Sequence, residues 1–484
     1  MYNIKTRFIL NTIFFFLVYV LMLYIIVRAF NIGITHDEAY SFYNVKHFWY
    51  VETLCTGNTH WFNFLAMKTA VLLGLEKVSQ LRWFSLFSAG IFLTCIYFWL
   101  KTLKAIPIKV LGFCIILLNP YVIDYLSLAR GYSSGLAFEA MSILCYYIAL
   151  KNKSRHLAFL SLFCAGMSAI ANFNFFYFFA AFTAIYFYHY YFSNGFKNLK
   201  TKSFFIDGIF ALGISVLVLK ALYFIKLCSN DIGAFGGEDL APSIFTGYIY
   251  TLIYNNVEIS INMINTAAYI VFAAIISASI YGILKAKKHG IMWYSIASKL
   301  FLWIIILLIF NKWCLGVLYP TFRTALLFYP LIALITIGFL SSVVAKSKLK
   351  NGLIYICSAV LILNFTLSFS LNKTFDYKEQ HDSKACFTFL DDIGAKHVGI
   401  DPFLFGVYRN YYQQTDAFKC SFSGECLNSF AISRPNYANN KLSDFDYLVL
   451  YPPYNMSFYK KQGIRLKAMK YFESTGTLVV RVIL

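Results

Sequence analysis

The amino-acid sequence predicts a mostly α-helical, polytopic membrane protein that ends in a small α/β domain. Three observations predict it. The 484 residues are 59% hydrophobic and only 13% charged, with mean hydropathy +0.62, whereas soluble proteins carry about 25% charged residues. Apolar runs approaching the ~20 residues needed to cross a bilayer recur along most of the chain. From about Asn372 onward the composition turns mixed, with 14 Lys and Arg against 11 Asp and Glu.

The first apolar run, residues 8–30, follows Lys5 and Arg7. It is too long for a signal-peptide core and no small-x-small cleavage site follows, so it reads as an uncleaved span. Further runs lie at 82–100, 108–122, 134–150, 157–172, 175–192, 204–226, 263–284, 293–310, 324–343 and 352–371, which makes about eleven spans. Every second connection is basic, from Lys101, Lys104 and Lys109 to Lys346, Lys348 and Lys350, while the acids Asp37, Glu38, Asp124, Glu238 and Asp239 gather in the others. The positive-inside rule then places the N-terminus in the cytoplasm and the C-terminus outside. Most of the net charge of +20 is thereby membrane topology, and no nucleic-acid partner is implied. The first outer loop, about 31–81, contains "HWFNFLAMKTAVLLGL", which reads as a helix along the membrane surface. Domain boundaries are expected at 1–371 for the membrane part and 372–484 for an extracytoplasmic α/β domain. That domain carries strand patterns in "HVGID", "FDYLVLYP" and "TLVVRVIL" and helix-like stretches near 383–392 and 404–412. Most of the 11 cysteines sit inside apolar runs as small hydrophobes. Cys420 and Cys426 are close enough to pair in an oxidising compartment, and no Cys/His spacing suggests zinc.

Chemistry-bearing residues collect on the outer face. "ITHDEAYSFY" (34–43) puts Asp37 and Glu38 where the chain leaves the first span. Ionisable groups beside hydrocarbon usually face a protein cavity and serve a function; a plainer account has them begin a surface helix capped by Thr35. His60 and Lys68 follow in the same loop, with a structural histidine as the plainer account of His60. "NPYVIDYLSLARGYSSG" brings Asp124, Arg130 and Tyr132 into a short loop after the third span, which Asn119-Pro120 ends. "NKWCLGVLYPTFRTALLFYP" brings Arg323 to the start of the tenth span; both arginines could instead snorkel. The glycines of "NDIGAFGGEDLAPS" suit either a lid or a merely flexible loop.

An Asp-Glu pair just after the first span, a His-containing segment later in that loop and an acid followed by "ARGY" resemble the GT-C superfamily of membrane glycosyltransferases. The resemblance is to the branch holding the protein O-mannosyltransferases and the lipid A aminoarabinose transferase. "YPTFRTALLFYPLIAL" is similar to that family's late span, which begins with a basic residue near the bound carrier. The resemblance covers roughly residues 1–345; relatives often carry Lys-Pro-Pro or His-Pro-Pro where this chain has Thr59-His60-Trp61, and the tail matches no motif.

The resemblance implies transfer of a sugar from a polyprenyl phosphate to a lipid, glycan or protein acceptor at the outer face of a bacterial inner membrane. It assigns Asp37 as base with Glu38 beside it and Arg130 and Arg323 on the donor phosphate. His60, Asp124, Lys68 and Tyr132 become supporting or acceptor-binding residues. Some members of the superfamily use Mg²⁺ or Mn²⁺, ions that oxygen ligands suit, but no spacing here identifies a metal site. Two other readings stand beside it: a flippase for a lipid-linked saccharide, and an oligosaccharide polymerase or ligase. The flippase reading is weakened by the lack of paired repeats.

Overall fold

A computed structural model of the chain describes residues 4–48, 60–192, 201–229, 236–254, 256–285, 291–343, 348–400, 402–415, 431–433, 445–452 and 463–483. Its helices in chain order are α1 (Ile4–Asn31), α2 (His36–His47), α3 (Trp61–Leu72), α4 (Val78–Leu81), α5 (Trp83–Thr102), α6 (Ile106–Leu117), α7 (Pro120–Ser127), α8 (Gly131–Asn152) and α9 (Arg155–Ala171). They continue as α10 (Phe176–Phe187), α11 (Lys202–Ser229), α12 (Gly247–Ile253), α13 (Ile261–Lys285), α14 (Met292–Leu315), α15 (Phe328–Val343), α16 (Lys348–Leu367), α17 (Ser383–Asp392) and α18 (Pro402–Asn410). The strands are β1 (His397–Gly399), β2 (Ala431–Ser433), β3 (Tyr447–Leu450), β4 (Arg465–Phe472) and β5 (Thr477–Ile483).

The apolar runs expected to cross a bilayer coincide largely with helices, but the run 108–122 is divided between α6 and α7, the run 324–343 begins in a 3₁₀ turn before α15, and the run 352–371 extends past the end of α16. Among the described residues, α1, α5, α8, α11, α13, α14 and α16 are long and apolar enough to span, and the pair α6–α7, bent by 50°, adds another if taken as one span. Helices α9 and α15 are apolar but shorter. Large side chains such as Phe16, Leu212, Ile270 and Leu353 stay exposed along α1, α11, α13 and α16, as befits helices whose solvent is lipid.

The chain divides into two compact units. One comprises Met1–Ile26, Tyr50–Leu65 and Arg82–Phe369; the other comprises Val27–Trp49, Ala66–Leu81 and Ser370–Leu484. In the first, small polar residues let helices approach closely, as at bilayer depth they must. Ser133 Oγ of α8 donates to the Ser85 carbonyl of α5, and Ser142 Oγ to the Ser161 carbonyl of α9, both at 2.8 Å. The break between α6 and α7 has a local cause. Asn119 Oδ1 accepts from the Tyr121 and Val122 amides, and Pro120 at the first helical position has no amide to leave unsatisfied. The segment around Asp124, expected from the sequence as a short loop, is therefore a buried helix, α7.

In the second unit the strands form one sheet in the order β2-β1-β3-β5-β4. β1 runs parallel to both β2 and β3, whereas β5 pairs antiparallel with β3 and β4. Leu448, Leu450 and Val480 are its buried centre, with Leu466, Leu478 and Val482 packed against them. The three expected strand patterns correspond to β1, β3 and β5, and the two helix-like stretches to α17 and α18. Cys420 and Cys426 lie outside the described residues, as does the first part of the glycine-containing loop 230–243. The rest of that loop is pinned: Gly237 and Tyr319 exchange two backbone hydrogen bonds, at 3.0 and 2.9 Å.

Candidate active site

The acidic pair begins α2. Thr35 Oγ1 accepts from the Glu38 amide at 3.3 Å, and the Glu38 carboxylate accepts from the Thr35 amide at 3.0 Å. This reciprocal capping box satisfies two donors that the first turn would otherwise leave open. Glu38 is thus tied to the helix start, as the plainer account of this segment anticipates for Thr35. Asp37, by contrast, turns its carboxylate away from the cap: Oδ2 accepts from the Tyr377 hydroxyl at 2.5 Å, and Oδ1 lies 3.6 Å from His36 Nδ1. Asp37 is only 4% exposed. A buried carboxylate needs such donors to remain charged. Lys68, in the same unit, donates its ammonium to the Val45 carbonyl at 2.6 Å, at the C-terminal end of α2, where the helix dipole favours a cation.

The first unit holds a second constellation. Asp124, on α7, is 2% exposed and accepts from the Tyr254 hydroxyl at 2.6 Å. Tyr254 caps α12 in the left-handed region, with φ 53°, a conformation that a non-glycine residue adopts at a cost. Phe322, with φ 45°, does the same directly before Arg323. Arg130 is the extended N-cap residue of α8 and is 1% exposed. Beside it, Tyr132 lies edge-on to His60 at 5.2 Å and to Tyr125 at 4.8 Å. The ring contacts continue from Tyr125 to Tyr121, from Tyr121 to Tyr329, and from Tyr329 to Tyr248. Tyr329 in turn shares a 2.8 Å hydrogen bond with Thr251. Tyr132 thus links His60 to α7, with Arg130 two residues before it at the start of α8. The half-buried Arg323 sits in the 3₁₀ turn Phe322–Ala325, against α12.

Sequence reasoning does not single out Tyr377, Tyr254 or the tyrosines at 121, 125 and 329. The spacing of Tyr121 and Tyr125 at i, i+4 on one helix face is a usable signal. Among the described residues no three His, Cys, Asp or Glu side chains gather as a metal site.

Neither a protein-family model nor a curated protein matches the sequence. Among solved structures, the chain is similar to ArnT from Cupriavidus metallidurans bound to undecaprenyl phosphate. The TM-score is 0.50 at 9% identity, covering 97% of this chain and 97% of that one. The apo state of the same protein gives a TM-score of 0.48 at 10% identity, covering 97% and 98%. Identity this low speaks to fold alone, and the fold is read from the first of the two. The chain therefore shares the fold of ArnT: a body of long apolar helices followed by a small C-terminal sheet.

Proposed function

We propose that this chain is a membrane glycosyltransferase that moves a sugar from a polyprenyl-phosphate donor to an acceptor hydroxyl on the extracytoplasmic side. One observation carries the reading: 97% of the chain follows the fold of a protein solved with undecaprenyl phosphate bound. The buried acids and guanidinium groups support it, because such groups are costly next to lipid without a use.

The chemistry needs few residues. A phosphate leaving group, whose second pKa is about 6, departs without the acid that a glycoside hydrolase must supply. It needs cations already oriented towards the growing negative charge. Arg130 and Arg323 take that role, since a guanidinium stays charged and can grip phosphate oxygens in pairs. The acceptor oxygen attacks the anomeric carbon, the bond from that carbon to the phosphate oxygen breaks, and polyprenyl phosphate leaves. The acceptor's proton passes to Asp37, and in-line displacement inverts the anomeric centre. Glu38 holds the start of α2, and Asp124, His60, Tyr132 and Lys68 support the binding surfaces.

The test uses membranes holding the full chain and the lipid extract of a strain lacking it, in which unused donor accumulates. Wild-type protein releases free polyprenyl phosphate, read by mass spectrometry; relocation of intact donor without release would instead indicate a flippase. Asp37→Asn, folded and donor-binding, should lose about 10²–10⁴-fold in rate, the usual worth of a general base. Near-normal release by that variant would refute the assignment of Asp37.

A further inference from the structure

Within the second unit, Asp37 is met by a strap from far along the sequence. Residues 370–381 lie against residues 28–37 through three independent attachments. The guanidinium of Arg28, 1% exposed, donates to the carbonyl oxygens of Ser370 and Lys373. The His36 amide donates to Gln380 Oε1 at 2.6 Å. Gly33 leaves no space on this side: a Cβ there would come within 3.0 Å of the His381 carbonyl oxygen and 3.2 Å of that of Gln380. Between these anchors stands Tyr377, 7% exposed, its hydroxyl on Asp37 Oδ2.

We infer that Tyr377 is a positioning residue for transfer, holding the Asp37 carboxylate in a fixed plane and in its charged form. The inference rests on Asp37 being the base. Tying one carboxylate oxygen removes the rotation that would otherwise disperse the base over many orientations, and small misplacements of catalytic groups are expensive in rate. Donation to an ionised carboxylate favours that form. A phenol suits this role because it steadies the charge without neutralising it, as a lysine or arginine partner would. Besides Asp37 and Tyr377, the titratable and charged groups on and against these segments are Arg28, His36 and Glu38 on one side, Lys373, Asp376, Lys378, Glu379 and His381 in the sequence of the strap, and Tyr408 and Arg409 on α18, which packs on α2. Of these, Arg28 is engaged with the Ser370 and Lys373 carbonyls and Glu38 with the capping box.

The test is Tyr377→Phe in the full-length protein, assayed by polyprenyl-phosphate release from the same lipid extract. The kcat should fall about 10- to 100-fold with KM little changed. The acidic limb of the pH–rate profile should move upward, since a donor to the ionised carboxylate is lost. A fluorinated tyrosine at position 377, a stronger donor of the same shape, should move that limb downward; it serves also if the phenylalanine variant does not fold. A purely structural tyrosine would move neither limb. Wild-type kcat and an unshifted limb in both variants, with Asp37→Asn inactive, would overturn the role of Tyr377 alone. An active Asp37→Asn would instead remove the base on which the inference rests.

Discussion

Gly131 shows how much of the candidate site depends on one missing side chain. It follows Arg130 directly, and a Cβ on it would fall 2.2 Å from the Ala171 carbonyl oxygen and 2.6 Å from both Cβ and Cγ of His60. A backbone oxygen cannot swing aside as the tip of a flexible side chain can. Gly131→Ala must therefore shift the start of α8, and with it Arg130, or displace the imidazole from Tyr132. Overpacking of this kind costs about 1–3 kcal/mol. The variant should lower the unfolding temperature in detergent and cut polyprenyl-phosphate release at least ~10-fold. Gly135→Ala, whose Cβ has ring atoms of Phe175 rather than backbone as its nearest neighbours, should cost less in activity and serves as the control. At this scale the site is partly legible in the sequence. Asp37, Glu38, Asp124 and Arg130 stand out because charged residues are rare in such a chain. Their partners do not: Tyr377 is 340 positions from Asp37, and tyrosine, present 37 times, carries no contrast. Glu139 has that contrast and lies outside the candidate set. It is a lone acid inside an apolar run, fully buried on α8, and neither of its oxygens has a hydrogen-bond partner among the described residues.

At the scale of elements, the end of α10 illustrates a device that no residue shows alone. The helix passes into a π turn at Tyr188–Phe192. A π turn aligns residues five apart, where an α-helix would splay them, so the hydroxyls of Tyr186 and Tyr191 both reach Asp207 Oδ2 on α11, at 2.6 and 2.7 Å. Arg155, at the start of α9, completes the cluster through the same carboxylate. Three helices are thus fastened at one buried acid. Asp207→Ala strands a guanidinium and two hydroxyls and should destabilise the protein by about 3 kcal/mol, read as a lower unfolding temperature in detergent. Release per folded molecule should stay near wild type, because none of these residues belongs to the candidate site. Helices of this length are legible since their apolar runs exceed anything a soluble fold needs. The short elements are not. α7 is eight residues long, and its start is signalled by Asn119-Pro120, a pair that serves equally well as the end of the preceding helix. β4 reads "RLKAMKYF" without apolar alternation because most of it is exposed, so its pairing with β5 decides its state rather than its own composition.

For the molecule as a whole, the proposed chemistry stands or falls with orientation, because donor and acceptor are expected on the extracytoplasmic side. The bias of Lys and Arg to alternate connections predicts a sense of insertion, with the connection after α14 expected outside and that after α8 inside. Cysteine chemistry can read this directly. Among the cysteines whose side chains are described, only Cys314 and Cys357 are exposed, and Cys357 lies along α16, within an expected span. Cys386 is inert for a different reason: burial, with Asp382 adding to it, pushes its thiol up to about 12, leaving little of the thiolate that reacts. Cys314, near the C-terminal end of α14, is the natural reporter. In a full-length protein with the other cysteines replaced by serine, a charged, membrane-impermeant maleimide should label Cys314 from outside spheroplasts. A second protein carries Lys153→Cys, at the exposed C-cap of α8, in place of Cys314. It should label only after the membrane is opened. The reverse pattern would put the N-terminus outside and the basic connections with it, against the charge rule. It would also put the connections bearing Asp37, Asp124 and Arg323 on the cytoplasmic side, where the proposed transfer would have no extracytoplasmic acceptor to serve.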